Sequence, residues 1–325
     1  MITGASRKPP AVLCLAFNRP DLLARVLGAV REGGPRELFV AIDGPRRDHE
    51  RDAELCARVQ QLAEEVEWAT EVNIKAEAGN LGVRRAVESA VTWALERVPE
   101  VIVLEDDCLP DPSFLAFCQE LLARYRDDER VMQVSGTNWG ASPKRFAGYS
   151  YAFTSFAPIW GWATWRRAWS LYDHDLESWA RVRATGLAAG MSLSRRFRRM
   201  LEREWDQVLA DGGEWDRKWQ YSILRHHGLS ICPARNLVKN IGFRSDATHL
   251  TGSDRIFSRL DLEELSFPLR HPPEVSRNAS VDGVFERIYW QKVGWPARLF
   301  ARVVRNRRLN RMLRMASRRF VPRPS

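Results

Sequence analysis

At Glu105-Asp106-Asp107 three carboxylates follow one another without a break. Clustered hard oxygen donors suit a divalent cation, and such a cation, held by few protein ligands, carries substrate phosphates. The four residues before them, Val101-Ile102-Val103-Leu104, are apolar and three are β-branched, the pattern of a strand buried on both faces of a parallel sheet. A buried sheet does not hold three acids, so they must stand at its C-terminal edge, where open α/β sheets bind ligands. On its own the run reads equally well as a polar strand end. Asp111 before Pro112 looks like a helix N-cap with proline at the first helical position, a common way to leave a strand.

Positioning a site there takes a sheet whose strand ends meet. Ala11-Val-Leu-Cys-Leu-Ala-Phe17 reads as a buried first strand, and Asn18-Arg19-Pro20-Asp21 opens a helix with Leu22, Leu23, Val26, Leu27 and Val30 at helical spacing. Leu38-Phe-Val-Ala-Ile42 is a second strand ending in Asp43-Gly44, and a charged helix follows over roughly 48–66. A third strand near Val72-Asn-Ile74 leads through Gly79-Asn80-Leu81-Gly82 into a helix over 83–97, and 101–104 is the fourth strand. A helix over 112–126 and a strand at Val131-Met-Gln-Val-Ser135 come next. This alternation predicts a doubly wound, mostly parallel sheet. Arg19, Asp43, Asn80 and the three acids would then converge on one edge. An Asp-Gly after a strand is by itself usually a turn. Together these residues make a cleft suited to a nucleoside diphosphate with its metal.

Composition narrows the class. The chain has 325 residues, 45% hydrophobic and 28% charged, enough for one large core or two smaller ones. The net charge is +9, yet no acid follows Glu286 while arginine stays frequent to the end. The excess of base therefore belongs to the tail, which argues against a nucleic-acid-binding body and for a tail that meets something anionic. Over 295–325, Leu299, Phe300, Val303 and Val304 share one helical face and Leu309, Met312, Leu313 and Ala316 another. An anionic membrane surface is one partner for such a stretch; a helix packed on the body with a solvated basic face is the other reading. Five cysteines without CxxC or zinc spacing, a start (Met1 to Pro10) without the apolar core of a signal peptide, and no apolar run near the length of a membrane span set the expectation of a cytoplasmic protein, peripheral on the inner membrane face if the tail binds lipid. The junction Phe17-Asn-Arg-Pro-Asp21 has no glycine, which excludes a dinucleotide fingerprint and the glycine-rich basic loop of sugar nucleotidyltransferases, and no GxxxxGK[ST] occurs.

Nine of the thirteen tryptophans lie between Trp139 and Trp219. Flat indole faces stack on sugar rings, but about two in three of these belong more naturally to a core that holds an irregular, aromatic-rich region together. The series Ala16-Phe-Asn-Arg-Pro20, Ala41-Ile-Asp-Gly44, Gly79-Asn-Leu-Gly82, Val103-Leu-Glu-Asp-Asp107 and Phe156-Ala-Pro-Ile-Trp-Gly-Trp162 resembles the GT-A-fold glycosyltransferases, specifically the N-acetylglucosaminyltransferase I-like branch and related bacterial family 2-like enzymes. The resemblance spans roughly 10–255 and implies an α/β fold with a Rossmann-like, mostly parallel central sheet flanked by helices. It divides the chain into a nucleotide-sugar-binding half (10–138), an acceptor and catalytic half of the same domain (139–255), a connecting segment (256–294) and the basic amphipathic tail (295–325).

It also implies roles. Asp107 would ligate manganese or magnesium, Asp106 would approach the ribose or the metal, and Glu105 the donor sugar. Arg19, Asp43 and Asn80 would hold the nucleotide side, and Gly161-Trp162 the floor beneath the sugar. His249 would meet the diphosphate or the metal. The base is an aspartate in a Trp-Asp setting, for which Trp205-Asp206 and Trp215-Asp216 both qualify. Asp216 is preferred, because Gly212-Gly213-Glu214 makes a flexible approach and a helix follows, whereas Asp206 sits within a charged helical stretch. The implied reaction moves a sugar from a nucleotide-diphosphate sugar to an acceptor hydroxyl of a glycan or lipid-linked acceptor, with inversion, in glycan or surface-polysaccharide synthesis. The alternative is a catalytically inactive module of the same fold that binds nucleotide or glycan.

Overall fold

The computed structural model describes residues 9–185, 194–242 and 260–289; His249 and the tail 295–325 lie outside the described residues. The first hundred residues form the expected α/β alternation. β1 (Ala11–Ala16), β2 (Glu37–Ile42), β3 (Glu71–Ala76) and β4 (Glu100–Glu105) are joined by α1 (Pro20–Glu32), α2 (Asp52–Glu64) and α3 (Val83–Arg97). β1 pairs in parallel with both β2 and β4, and β2 in parallel with β3. The α2 helix is shorter than the charge pattern predicted, because 47–51 forms the turn that returns the chain from β2. β4 is longer at both ends, so Glu105 is still within the strand, in register with Leu15.

Past β4 the chain makes a short strand β5 (Cys108–Pro110) and α4 (Pro112–Arg124). The Asp111 carboxylate accepts from the Ser113 amide at 2.9 Å and Pro112 opens the helix, as the sequence predicted. β6 (Val131–Ser135), β7 (Tyr151–Thr154), β8 (Trp162–Trp165) and β9 (Leu229–Pro233) then complete one eight-stranded sheet of order β3-β2-β1-β4-β8-β6-β9-β7. β8 and β7 run against the other six strands, so the sheet is mostly parallel. β10 (Val238–Asn240) pairs antiparallel with β5, which brings the chain back beside Asp107.

Both faces of the sheet are buried, as the unbroken apolar runs require. Val12, Cys14, Ile102 and Leu104 point to the face covered by α1 and α4, while Leu13, Leu15, Val101 and Val103 point to the face covered by α3. After the one-turn α5 (Arg166–Trp169), a third cluster joins α6 (Trp179–Thr185), α7 (Arg195–Asp211), α8 (Trp215–Arg225) and α9 (279–289) around Trp205, Tyr221 and Phe285. Seven of the nine tryptophans between Trp139 and Trp219 are buried, the exceptions being Trp139 and Trp160, so the core reading of this region holds. The five cysteines are buried free thiols. Among the described residues no helix is long and apolar enough to cross a membrane.

Candidate active site

The strand order reverses at β1. β2 and β3 lie to one side and β4 to the other, which leaves a crevice at the carboxyl ends of β1 and β4. Ligands of open α/β sheets bind at such a reversal because the helices flanking it diverge to opposite faces. A cavity of about 500 Å³ opens there, and Arg19, Asp43, Asn80, Glu105 and Asp106 all line it. Five of the sequence-predicted residues thus meet in one place. Leu15, Ala41, Val83 and Val87 give the cavity apolar walls between its polar ends.

Asp43 is the knot of the β2 end. Its carboxylate accepts from the amides of Gly44 (2.9 Å), Leu81 (2.7 Å) and Gly82 (3.2 Å) and from the Asn80 side chain (2.9 Å). Asn80 also donates to the Gly44 carbonyl at 3.0 Å. The two residues therefore shape the 79–82 loop that feeds α3, in addition to lining the cavity. Gly44 is needed for this closeness: a Cβ there would sit 2.5 Å from the Gly79 backbone.

At the β4 end Arg19 spans two acids. Its guanidinium makes a two-pronged contact with Asp106 and donates to Asp107 at 2.8 Å. Burial pushes the Asp106 carboxyl up to about 6 in spite of Arg19, and burial together with the neighbouring Asp107 and Asp106 pushes Glu105 up to about 8. Asp216 adds to the shift of Glu105, so the base candidate and the acid cluster feel each other's charge. Asp107 also accepts from Asn240 at 3.3 Å, and its backbone carbonyl accepts from the Ile241 amide at 2.8 Å. Gly242 leaves room for the Asp107 carboxylate, since a Cβ there would stand 2.4 Å from it.

Among the described residues no group of three or more His, Cys, Asp or Glu gathers as a metal site. The donor set still fits a magnesium- or manganese-type ion, because such ions are held by one or two carboxylates together with substrate phosphates. Asp107 and Asp106 are the two carboxylates, and Arg19 supplies the compensating positive charge between them.

The Gly161-Trp162 element sits where β8 enters the sheet. Gly161 has φ +60°, and its carbonyl accepts from the Gly136 amide at 2.7 Å. A Cβ at Gly161 would lie 2.5 Å from a Val238 methyl. Gly161→Ala should therefore cost about 2–4 kcal/mol, combining left-handed backbone strain with overpacking. A denaturant midpoint within error of the parent would refute this account of the glycine.

Trp162 is buried and stacks on Trp215, with ring centroids 5.6 Å apart and planes 25° from parallel. Trp169 and Trp219 close the cluster. The stack fixes the start of α8 and with it Asp216, which faces a small cavity with Trp139, Trp160, Gln220 and Tyr289. Arg84, the second residue of α3, donates to the Gly212 carbonyl at 2.7 Å and ties the approach to α8 to the helix that follows the 79–82 loop. Asp206 is placed otherwise: on α7 it accepts from the Trp179 indole at 3.0 Å and pairs with Arg183 at 2.8 Å, lining neither cavity.

Sequence reasoning missed Asn18, Arg46, Lys75 and Glu77, all of which line the larger cavity. Arg46 pairs with Asp52 at 2.6 Å and lies over the Phe17 ring, and Asn18 donates to the same Asp52 at 2.8 Å. Lys75 and Glu77 alternate at the end of β3, and that polar i, i+2 pattern was the available signal.

No family model matches the chain, and no curated protein matches it by sequence. Among solved structures it is similar to a mannosyltransferase from Pyrobaculum calidifontis in complex with GDP-Man and Mn2+, at 16% identity over 68% of this chain and 71% of that one, with a TM-score of 0.37. It is similar to the galactosyltransferase LgtC in complex with donor and acceptor sugar analogues, at 12% identity over 66% and 70% of the two chains, with a TM-score of 0.32. HddC from Yersinia pseudotuberculosis, complexed with GMP-PN, matches at 11% identity over 45% and 60%, with a TM-score of 0.28. At these scores the geometry of the site, not the likeness, bears the functional reading.

Proposed function

We propose that the chain is a metal-dependent glycosyltransferase of the GT-A type, which moves a sugar from a nucleoside-diphosphate sugar to an acceptor hydroxyl with inversion. The observation that carries this reading is the cavity at the strand-order reversal, which gathers Arg19, Asp43, Asn80, Glu105 and Asp106 in one place. The apolar middle of the cavity takes the flat part of a nucleotide, and its β4 end takes the diphosphate. Asp107 and Asp106 would hold a manganese or magnesium ion there, which would supply charge neutralisation at the leaving diphosphate. Arg19, released from the two acids, adds its charge on the phosphate side. Glu105 faces the donor sugar and hydrogen-bonds toward it. Asp216 takes the acceptor proton as the hydroxyl attacks from the face opposite the leaving group. Trp139 and Trp160, the two less buried tryptophans, flank Asp216 and stack against the acceptor sugar.

The acceptor in this reading is a glycan or lipid-linked sugar of surface-polysaccharide synthesis, met at the cytoplasmic face of a membrane through the basic residues 295–325. His249 would join the diphosphate or the metal from the segment after Gly242. The test is release of nucleoside diphosphate from a panel of nucleotide sugars with and without manganese. Release that depends on the metal is expected, and binding without release for every donor would leave only the inactive binding module.

A further inference from the structure

Resting on the donor-site reading above, we infer that the cavity reads guanine, with Glu77 accepting from the base's N1–H and 2-amino group and Lys75 donating to O6. The sheet itself supplies the ruler. β3 lies three strands from β4, about 14 Å at the usual interstrand spacing. With the diphosphate at Glu105–Asp107, that distance places the base beside the end of β3. Asp43, the residue the family resemblance would assign to the nucleoside, has both carboxylate oxygens engaged by the 44 and 80–82 segment. Reading a base with Asp43 would mean taking that loop apart.

At the end of β3, Lys75 and Glu77, the latter just past the strand, lie side by side, with ammonium and carboxylate 3.2 Å apart and both side chains 29% exposed. Both line the cavity, and Lys75 is steadied by a hydrogen bond to Ser89 on α3. The pair offers, in a row, one donor and then the two acceptors of a carboxylate. Guanine presents the complement: the O6 acceptor followed by two adjacent donors, a bidentate match for a carboxylate. Uracil has a single donor between two acceptors, so the second carboxylate oxygen would face its O2. Adenine and cytosine each offer only one donor beside an acceptor. A site built to hydrogen-bond a substrate's donors and acceptors rejects partners that leave one of its groups unmet.

Inosine diphosphate tests the assignment without altering the protein, since it lacks only the 2-amino group. Calorimetric titration of the full chain with manganese should give GDP an affinity about tenfold or more above that of IDP, the value of one hydrogen bond to a charged acceptor. UDP and ADP should bind more weakly still. In Glu77→Gln, where an amide N–H replaces one acceptor oxygen, the GDP-to-IDP ratio should fall close to one. Equal binding of GDP and IDP to the parent protein, or tighter binding of UDP or ADP, overturns the guanine assignment and leaves the donor site standing. No binding of any nucleoside diphosphate removes the donor-site reading along with it.

Discussion

Asp216→Asn lowers the turnover of sugar transfer by about 100- to 10,000-fold, the range a positioned general base supplies, and leaves nucleoside-diphosphate affinity unchanged. The exchange removes the proton acceptor and keeps the shape. Asp216 stands in the first turn of α8, where the helix N-terminus favours its ionised form, the form a base must have. Its position is set by Trp215, which is stacked on Trp162, and its ion pair with Arg217 is long at 3.9 Å, so the amide should leave α8 in place. Asp206→Asn is the internal control. It weakens the contacts to Trp179 and Arg183 and should lower the melting temperature while turnover holds. Near-parental turnover in Asp216→Asn, with a loss in Asp206→Asn, would transfer the base to α7. The anomeric configuration of the product, followed by NMR, reports inversion directly.

The β1–β4 half of the sheet was legible because its signals are local. Uninterrupted apolar runs at 11–16 and 101–104 allow only a strand buried on both faces, and Asp111-Pro112 could only begin a helix. Once those strands are parallel, Arg19, Asp43, Asn80 and Glu105 have to share an edge. The rest depends on contacts made across long stretches of chain. That Arg19 clamps Asp106 and Asp107 follows from β1 and β4 being neighbours, and strand order leaves no trace in periodicity. β9 completes the sheet from beyond residue 228, and Leu-Ser-Ile-Cys-Pro carries too short a pattern to stand out from loop. Lys75 and Glu77 read as the polar end of a strand until α3 packs over them and closes the cavity. Asp206 and Asp216 share the same Trp-Asp dipeptide; the glycine-flanked approach already favours Asp216 in the sequence, and the contacts of Asp206 with Trp179 and Arg183, against the cavity that Asp216 faces, come only from tertiary structure.

Asp107→Asn abolishes the coupling between metal and nucleotide. In the parent protein manganese should tighten nucleoside-diphosphate binding, because an ion held by Asp107 and Asp106 would supply positive charge to the diphosphate. In the variant the same titration should show little change on adding the metal, and transfer should fall by roughly 1,000-fold, the loss of several kcal/mol of charge stabilisation at the leaving group. The fold should survive the exchange. Arg19 keeps its two-pronged contact with Asp106, and its side chain is 40% exposed, so the lost Asp107 pair is worth only about 1 kcal/mol. The Asp107 backbone also stays held by Ile241, and asparagine fits the space against Gly242 that aspartate fills. The two variants therefore separate the halves of the site: Asp107→Asn loses metal-dependent donor binding and turnover together, whereas Asp216→Asn keeps the first and loses the second. Manganese-enhanced binding that persists in Asp107→Asn would show that the ion is held elsewhere, and Arg19 would then be the permanent partner of both acids.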